Sequence, residues 1–357
     1  MLINILIIKN YYKHIGTFTF VSPLIKYRGS LKDKGFNINF FHKLSNKVFD
    51  CETLFVERRF LNLLSYQEKK FFYKELNKFN DKQKKIFVDT SDSTGQIQKE
   101  KLRFFDKYWK GQVLKDLRLY RLAHYGGRYF TNFYKKNFNV KDTNENTSDK
   151  ITNKNLLKKI QVSWNMGLIN FEFYGPIYHK LHSFLNFDFF IKKPFIPRIN
   201  ISKPKDITCR LSFDYHRKTV KFQRTKLKHL LKSVTDINQI SRKKYFNELH
   251  TSKISVSPFG WGEICVRDFE TFICKSCLLK PDMSLIDTWP LWYKKNQSYV
   301  SLNWNLKNLH EKIEFLLSNK KLINDISSYG RELYIKYNVR KNSREFFSNR
   351  FEKLLKN

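Results

Sequence analysis

A chain of 357 residues is longer than one hydrophobic core usually serves, so two domains of roughly 150–200 residues are expected. Hydrophobic residues make up 41% and aromatic residues 17%, with only 12 Gly and 8 Pro, which excludes a disordered or fibrous chain. The net charge of +36, from 68 Lys and Arg against 32 Asp and Glu, points to an anionic partner: nucleic acid, an acidic membrane surface or a phosphorylated substrate.

In chain order, Leu2–Ile8 is an apolar run stopped by Lys9, shorter than a signal peptide's apolar core, and Asn4–Ile8 reads as a buried strand. No stretch approaches the roughly 18–20 apolar residues that span a bilayer, so a cytoplasmic, soluble or peripheral protein is expected. A polar turn with Gly16, a helix around Pro23–Lys34, a stop at Gly35 and the alternating strand Asn37–Phe41 make one βαβ unit. A strand at Lys85–Val88 runs into the polar loop Asp89–Gly95. Beyond it, Phe105, Trp109, Val113 and Leu117 at i+4 spacing predict a long helix.

Asp142–Asn155, rich in Asn, Asp, Thr and Lys, predicts a surface loop. Lys192–Lys205, with Pro194, Pro197 and Pro204 among basic residues, predicts an interdomain linker. The expected division is 1–195 for the N-terminal domain, 196–205 for the linker, 206–340 for the C-terminal domain and 341–357 for a final helix. In the second half, strands are expected at Ile207–Phe213, Ile254–Ser257 and Leu278–Lys280. Helices are expected at Thr219–Leu231, Arg242–His250, Ile264–Cys274, Leu306–Leu317, Leu322–Tyr337 and Ser343–Leu355. The five cysteines lack a disulfide framework, and Cys274 and Cys277 form a lone C-x-x-C without partners at zinc spacing; buried free thiols are expected. His179 and His182 stand at i, i+3 without an acidic or Cys ligand beside them.

The stretch with the most chemistry is Ser255–Thr288, SVSPFGWGEICVRDFETFICKSCLLKPDMSLIDT. A strand ends near Ser257, the loop Gly260-Trp261-Gly262-Glu263 follows, and a helix begins. In open parallel sheets, ligands bind outside the carboxyl ends of strands, and helix N-termini attract phosphate. Arg267 and Glu270, at i, i+3, lie on one helix face: a guanidinium for a diphosphate and a carboxylate for ribose hydroxyls. The same spacing also fits an ordinary Arg–Glu surface pair.

This segment resembles the donor-binding module of glycosyltransferases with the two-domain, Rossmann-like GT-B fold. Glu270-TFICKSCLLKP-Asp282 is similar to the helix-to-strand passage of a large retaining family that carries two glutamates eight positions apart. Position 262, where that family has its first glutamate, is Gly262 here, with Glu263 one place off. The Arg267-x-x-Glu270 spacing resembles the exostosin-type donor domain, whose members are commonly inverting, so inversion is favoured. The likeness covers about residues 205–355, including the closing helices, the last of which often returns to the N-terminal domain in this fold.

The resemblance implies a nucleoside diphosphate sugar as co-substrate, no resident cofactor or metal, and a glycan or glycolipid acceptor, with possible contact to an anionic membrane surface. It assigns the donor to Gly260, Trp261, Gly262, Glu263, Arg267 and Glu270. Arg217 and Arg224, after the domain's first strand, are added as phosphate ligands, Arg217 preferred. In the N-terminal half Asp92 is the candidate base, unless Asp89 or Asp92 merely caps the next helix. Gly127 and Arg128 are candidate acceptor contacts, unless their loop is a plain turn, and Trp164 is another, unless it is a core residue. The competing functions are a basic nucleic-acid-binding protein and an inactive scaffold of the same fold. Against the former stand scattered lysines, which a codon bias also explains, and the absence of any nucleic-acid-binding signature.

Overall fold

Thr53–Glu57 is buried at every position, and Lys84–Asp89 is buried from Ile86 onward. Such unbroken burial belongs to parallel strands covered on both faces. The computed structural model describes residues 1–170, 172, 174–185, 191, 196, 199 and 202–356. Its first sheet contains β1 (Leu2–Leu6), β2 (Asn37–Phe41), β3 (Thr53–Glu57), β4 (Lys84–Asp89), β5 (Lys107–Lys110) and β7 (Ile160–Val162). The spatial order is β2-β1-β3-β4-β5-β7, and every pairing is parallel. The second sheet orders β12 (Val300–Leu302), β10 (Cys277–Pro281), β9 (Ser252–Val256) and β8 (Lys205–Thr208), again all parallel. An antiparallel ribbon of β6 (Gln112–Leu114) and β11 (Ile286–Thr288) ties the two halves together.

Two Rossmann-like α/β units, with the carboxyl edges of their sheets turned to one cleft, make the GT-B arrangement expected from the sequence. Of the linker expected at 196–205, residues 197, 198, 200 and 201 lie outside the described residues, and Lys205 already opens β8. The halves share a core: Phe130 and Tyr134 belong to the same apolar cluster as Val220 and Phe259. The helix Ser343–Lys356 returns to the first sheet, where Phe351 packs on Phe55 and Trp109. Lys107 Nζ donates to the Leu354 and Leu355 carbonyls at 2.6 and 2.9 Å, which satisfies acceptors that a helix end leaves open.

Two expectations fail. The stripe Phe105–Leu117 is not a helix: a single turn at Lys101–Phe104 gives way to β5 and β6. A spacing of four is nearly a helical turn but also a multiple of two, so the stripe fits strands equally well. The aromatic pair Tyr108 and Trp109 favours the latter. Asp142–Asn155 is not simply a surface loop either, since Asp142, Ser148 and Ile151 are buried. All five cysteines are free, and burial pushes Cys277 up to about 12. Among the described residues no helix is long and apolar enough to cross a membrane.

Candidate functional site

The segments that follow β4, β8 and β9 converge on a cleft of about 610 Å³ between the two sheets. The N-terminal half supplies Asp92. The C-terminal half supplies Gly260, Trp261, Gly262, Arg224, Arg267 and Glu270, so most of the expected donor residues do come together. They arrive from three segments: the loop after β9, the helix Val266–Ile273 and the helix Lys218–Leu230.

The cations divide into two kinds. Arg210 is neutralised by Glu248 and Asp236, each at 2.5 Å. Among the described residues Arg224 and Arg267 form no ion pair, Glu270 acting on Arg267 only at longer range. Arg224 Nε donates to Phe259 O at 3.0 Å and Nη1 to Ser212 O at 3.2 Å, while its plane lies 4.8 Å from the Tyr215 ring centre. Arg267 donates through Nη2 to Arg210 O, and its buried Nε has no hydrogen-bond partner. Burial, and then the Arg267 charge beside it, push Arg224 below the ordinary guanidinium range. The two guanidiniums are therefore near neighbours that repel.

Glu270 does not pair with Arg267. Its carboxylate accepts from Arg242 Nη1 at 3.2 Å and from the Tyr245 hydroxyl at 3.1 Å, and burial raises its pKa. The helix begins at Val266 rather than near Glu263. At its start the Asp268 carboxylate accepts from Cys265 N at 3.0 Å. Asp268 also forms a fully buried ion pair with Lys280 at 3.0 Å and accepts from the Tyr293 hydroxyl at 2.6 Å. Sequence reasoning passed over Asp268, although its place three residues beyond the cap was the signal.

The glycines of the loop have different duties. A Cβ on Gly262 would collide with the Asp92 carbonyl, so this position permits the backbones of the two halves to touch. A Cβ on Gly260 would stand 3.3 Å from the Tyr215 hydroxyl and 3.4 Å from Arg224 Nη2, crowding the cleft.

Two donor candidates sit elsewhere. The buried Glu263 carboxylate accepts from Thr94 N and Oγ1 at 3.0 and 2.7 Å and from Gln112 Nε2 at 3.1 Å, so it braces the two halves instead of lining the cleft. Arg217 is paired with Asp142 at 2.8 Å and donates to Gly126 O at 2.8 Å, and it too stays out of the cleft. Partners 75 residues away in the chain drew it there. Arg224, the less favoured of the two, is the one that faces the site.

In the N-terminal half, Asp92 is no helix cap, since the next helix starts only at Lys101. Among the described residues its carboxylate makes no hydrogen bond. Burial raises its pKa, opposed by the charges of Lys110, Arg128 and Arg59. The neighbouring Asp89 behaves oppositely: despite burial, Lys110 at 2.7 Å and the Tyr108 hydroxyl at 2.6 Å help hold it down to about 2. Trp164 is a core residue, 1% exposed, with Nε1 donating to Phe20 O at 3.0 Å; only its edge reaches a small cavity of about 50 Å³. Gly127 adopts φ 68° in a tight turn, and Arg128 faces a separate pocket of about 240 Å³. Burial pushes His179 down to about 3, and among the described residues no three His, Cys, Asp or Glu side chains group as a metal site requires.

No protein-family model matches the chain, and no curated protein does. Similar solved structures include Anabaena HepE in complex with UDP, at 8% identity over 100% of both chains and a TM-score of 0.48. A glycosyltransferase from Rickettsia africae ESF-5 is 10% identical over 100% of this chain and 99% of its own, with a TM-score of 0.46. An alpha-glucosyltransferase in complex with UDP and a 13-mer DNA containing a HMU base is 10% identical over 100% of both chains, with a TM-score of 0.43. Likeness at this level adds nothing to what the sheet order and the site residues themselves say.

Proposed function

We propose that this chain is a glycosyltransferase that moves a sugar from a nucleoside diphosphate donor to an acceptor hydroxyl. The observation that carries this reading is the pair of neighbouring guanidiniums, Arg224 and Arg267, set into the cleft wall with no ion pair among the described residues, Glu270 nearby being held by Arg242 and Tyr245. Neighbouring like charges in a partly dehydrated site are costly unless an anion joins them. A diphosphate satisfies both, because guanidinium forks match phosphate oxygens in pairs. Glu270, held by Arg242 and Tyr245 at the same wall, is suited to accept from ribose hydroxyls. Gly260 leaves room for the ligand beside Arg224.

Asp92 approaches from the opposite half, with an unbonded carboxylate whose raised pKa makes it a better base than an ordinary Asp. The acceptor oxygen attacks the anomeric carbon while Asp92 takes its proton. The bond from that carbon to the diphosphate oxygen breaks, and the electron pair leaves with the nucleotide. Arg224 and Arg267 stabilise the charge that develops there, a contribution that commonly dominates catalysis in such sites. A base on one wall and a leaving-group clamp on the other suit single displacement with inversion. In this reading residues 1–195 hold the acceptor, residues 206–340 hold the donor, and the acceptor hydroxyl belongs to a glycan or glycolipid. Release of nucleotide from a panel of UDP-, GDP-, ADP- and CMP-sugars tests it. Turnover with at least one donor, lost in Arg267→Ala, is expected. No release from any donor, together with salt-sensitive binding of short DNA or RNA, would favour the nucleic-acid-binding alternative.

A further inference from the structure

The loop that carries Asp92 has a second side. It borders the separate pocket of about 240 Å³, around which stand Arg58, Arg59, Asn62, Gln96 and Arg128. Arg58 and Arg59 open the helix directly after β3, and Arg128 caps the helix Tyr129–Phe138. Two separate segments thus bring three guanidiniums to one place beside Asp92.

Among the residues that line the pocket, the charge of these arginines meets a single carboxylate, Asp92. Among the described residues Arg59 makes no ion pair or hydrogen bond, acting on Asp92 only at longer range. Arg128 donates to the Trp261 and Gly126 carbonyls at 2.6 and 3.1 Å and forms no ion pair among the described residues, though Glu263, Asp92 and Asp142 act on it at longer range. Arg58 reaches Asp89 only at 3.4 Å, and that carboxylate is already held by Lys110 at 2.7 Å. Buried carboxylates stand behind the pocket, Asp89 beside Arg58 and Lys110 and Glu263 near Arg128, so the excess of two positive charges belongs to the lining itself, three arginines against Asp92. The remaining lining is Thr90, Ser91 and Ser93 with Asn62 and Gln96, and it contains no apolar side chain. Such a lining offers little to an acyl chain or a neutral ring. It suits a phosphate group, whose charge near neutrality is about −1.5 to −2.

We infer that this pocket holds a phosphate group of the acceptor, seated on Arg58, Arg59 and Arg128, so that an adjacent hydroxyl lies at Asp92. The acceptor is then a phosphorylated molecule and not a neutral glycan. The inference rests on the proposed sugar transfer only in calling the occupant an acceptor, since the anion site stands on its own residues. Asp92 borders both the pocket and the donor cleft, which is where a base must stand if donor and acceptor enter from different sides.

Arg59 is the residue to change, because it is exposed and unpaired and its replacement leaves the fold intact. Methyl phosphate is titrated calorimetrically into wild type, Arg59→Ala, Arg59→Glu and Arg267→Ala, with UDP titrated in parallel. Loss of a charge-assisted bond should weaken methyl phosphate about tenfold in Arg59→Ala, and the reversed charge should abolish binding. Arg267→Ala should leave methyl phosphate unaffected and weaken UDP, whereas the Arg59 variants should bind UDP as wild type does. Methyl phosphate binding lost in Arg267→Ala but intact in Arg59→Glu would overturn the inference by assigning the anion to the donor cleft. No binding to wild type at millimolar concentration would overturn it too. Dimethyl phosphate, run alongside, separates the sources: a preference for the monoester assigns a terminal phosphate, and a preference for the diester an internal one. Should UDP bind none of the proteins while methyl phosphate still depends on Arg59, the donor reading fails and the anion site remains.

Discussion

Replacing Arg267 by Ala should uncouple the stability of the empty protein from its response to nucleotide. With one Nη2 hydrogen engaged by Arg210 O and Nε buried, Nη1 and the second Nη2 hydrogen remain as donors for phosphate. Two charge-assisted bonds at about 1.5 kcal/mol each, the low end of their range, amount to about 3 kcal/mol, or roughly a hundredfold in Kd. A nucleoside diphosphate at a hundred times its wild-type Kd stabilises the wild type by about 2.7 kcal/mol. The variant, now near its own Kd, gains only about 0.4 kcal/mol at the same concentration. In the empty variant the relieved repulsion with Arg224 is set against the lost bond to Arg210 O and the favourable field of Glu270, so its melting temperature should stay close to that of the wild type. Thermal shift with UDP, GDP and ADP on both proteins reads each quantity. Equal nucleotide shifts in the two proteins would refute the assignment of this helix to the diphosphate. A variant that melts far below the wild type without ligand would show that Arg267 is a structural residue.

Asp92→Asn should lower kcat by roughly 10²–10⁴ at unchanged donor affinity, and its melting temperature should hold because the carboxylate makes no hydrogen bond. As a base, Asp92 must be ionised; with its pKa raised, kcat/KM should fall on acidification at a higher pH than an ordinary Asp dictates, a limb absent from the Asn variant. Glu270→Ala should weaken ribonucleotides while leaving inorganic pyrophosphate nearly unaffected, measured by the same thermal shift. Asp89 is held at about 2 against an ordinary 3.8, so its contribution is present above pH 4 and is lost as pH falls toward 2. A difference of that size is worth about 2 kcal/mol, and Asp89→Asn should flatten the acid limb of the stability curve by that amount.

The alternation of strands and helices was legible because its signals are local. Asn37–Phe41 lies where its pattern predicts, and Gly35 before it has the positive φ of 82° that a helix stop requires. The helix at Ser343–Lys356, and its return to the first sheet, followed from resemblance and periodicity together. The site was legible as a set of strand ends, but its selection among candidates was not. In sequence Arg217 has the better claim of the two, and only its meeting with Asp142, invisible in sequence, leaves Arg224 as the one at the cleft. The resemblance assigns Glu263 to the donor with the loop Gly260–Glu263, yet Thr94 and Gln112, far away in the chain, turn it into a brace. Arg58 and Arg59 carry no motif at all, and their convergence with Arg128 depends on how β3 and the Gly126–Gly127 turn are set side by side.

The helix Ser343–Lys356 has a bearing on how the protein is made. Phe55, Trp109 and Trp164 belong to the first half of the chain, yet Phe347 and Phe351 are what cover them. Lys84 and Lys107 likewise find their carbonyl partners at Leu354 and Leu355. A ribosome-bound chain that has emitted the whole N-terminal sheet therefore still shows an uncovered aromatic face. That face stays open through the synthesis of the second sheet, for roughly ten seconds or more at ordinary elongation rates. Chaperone occupancy during translation should accordingly persist past residue 300 and end only once the last helix has emerged.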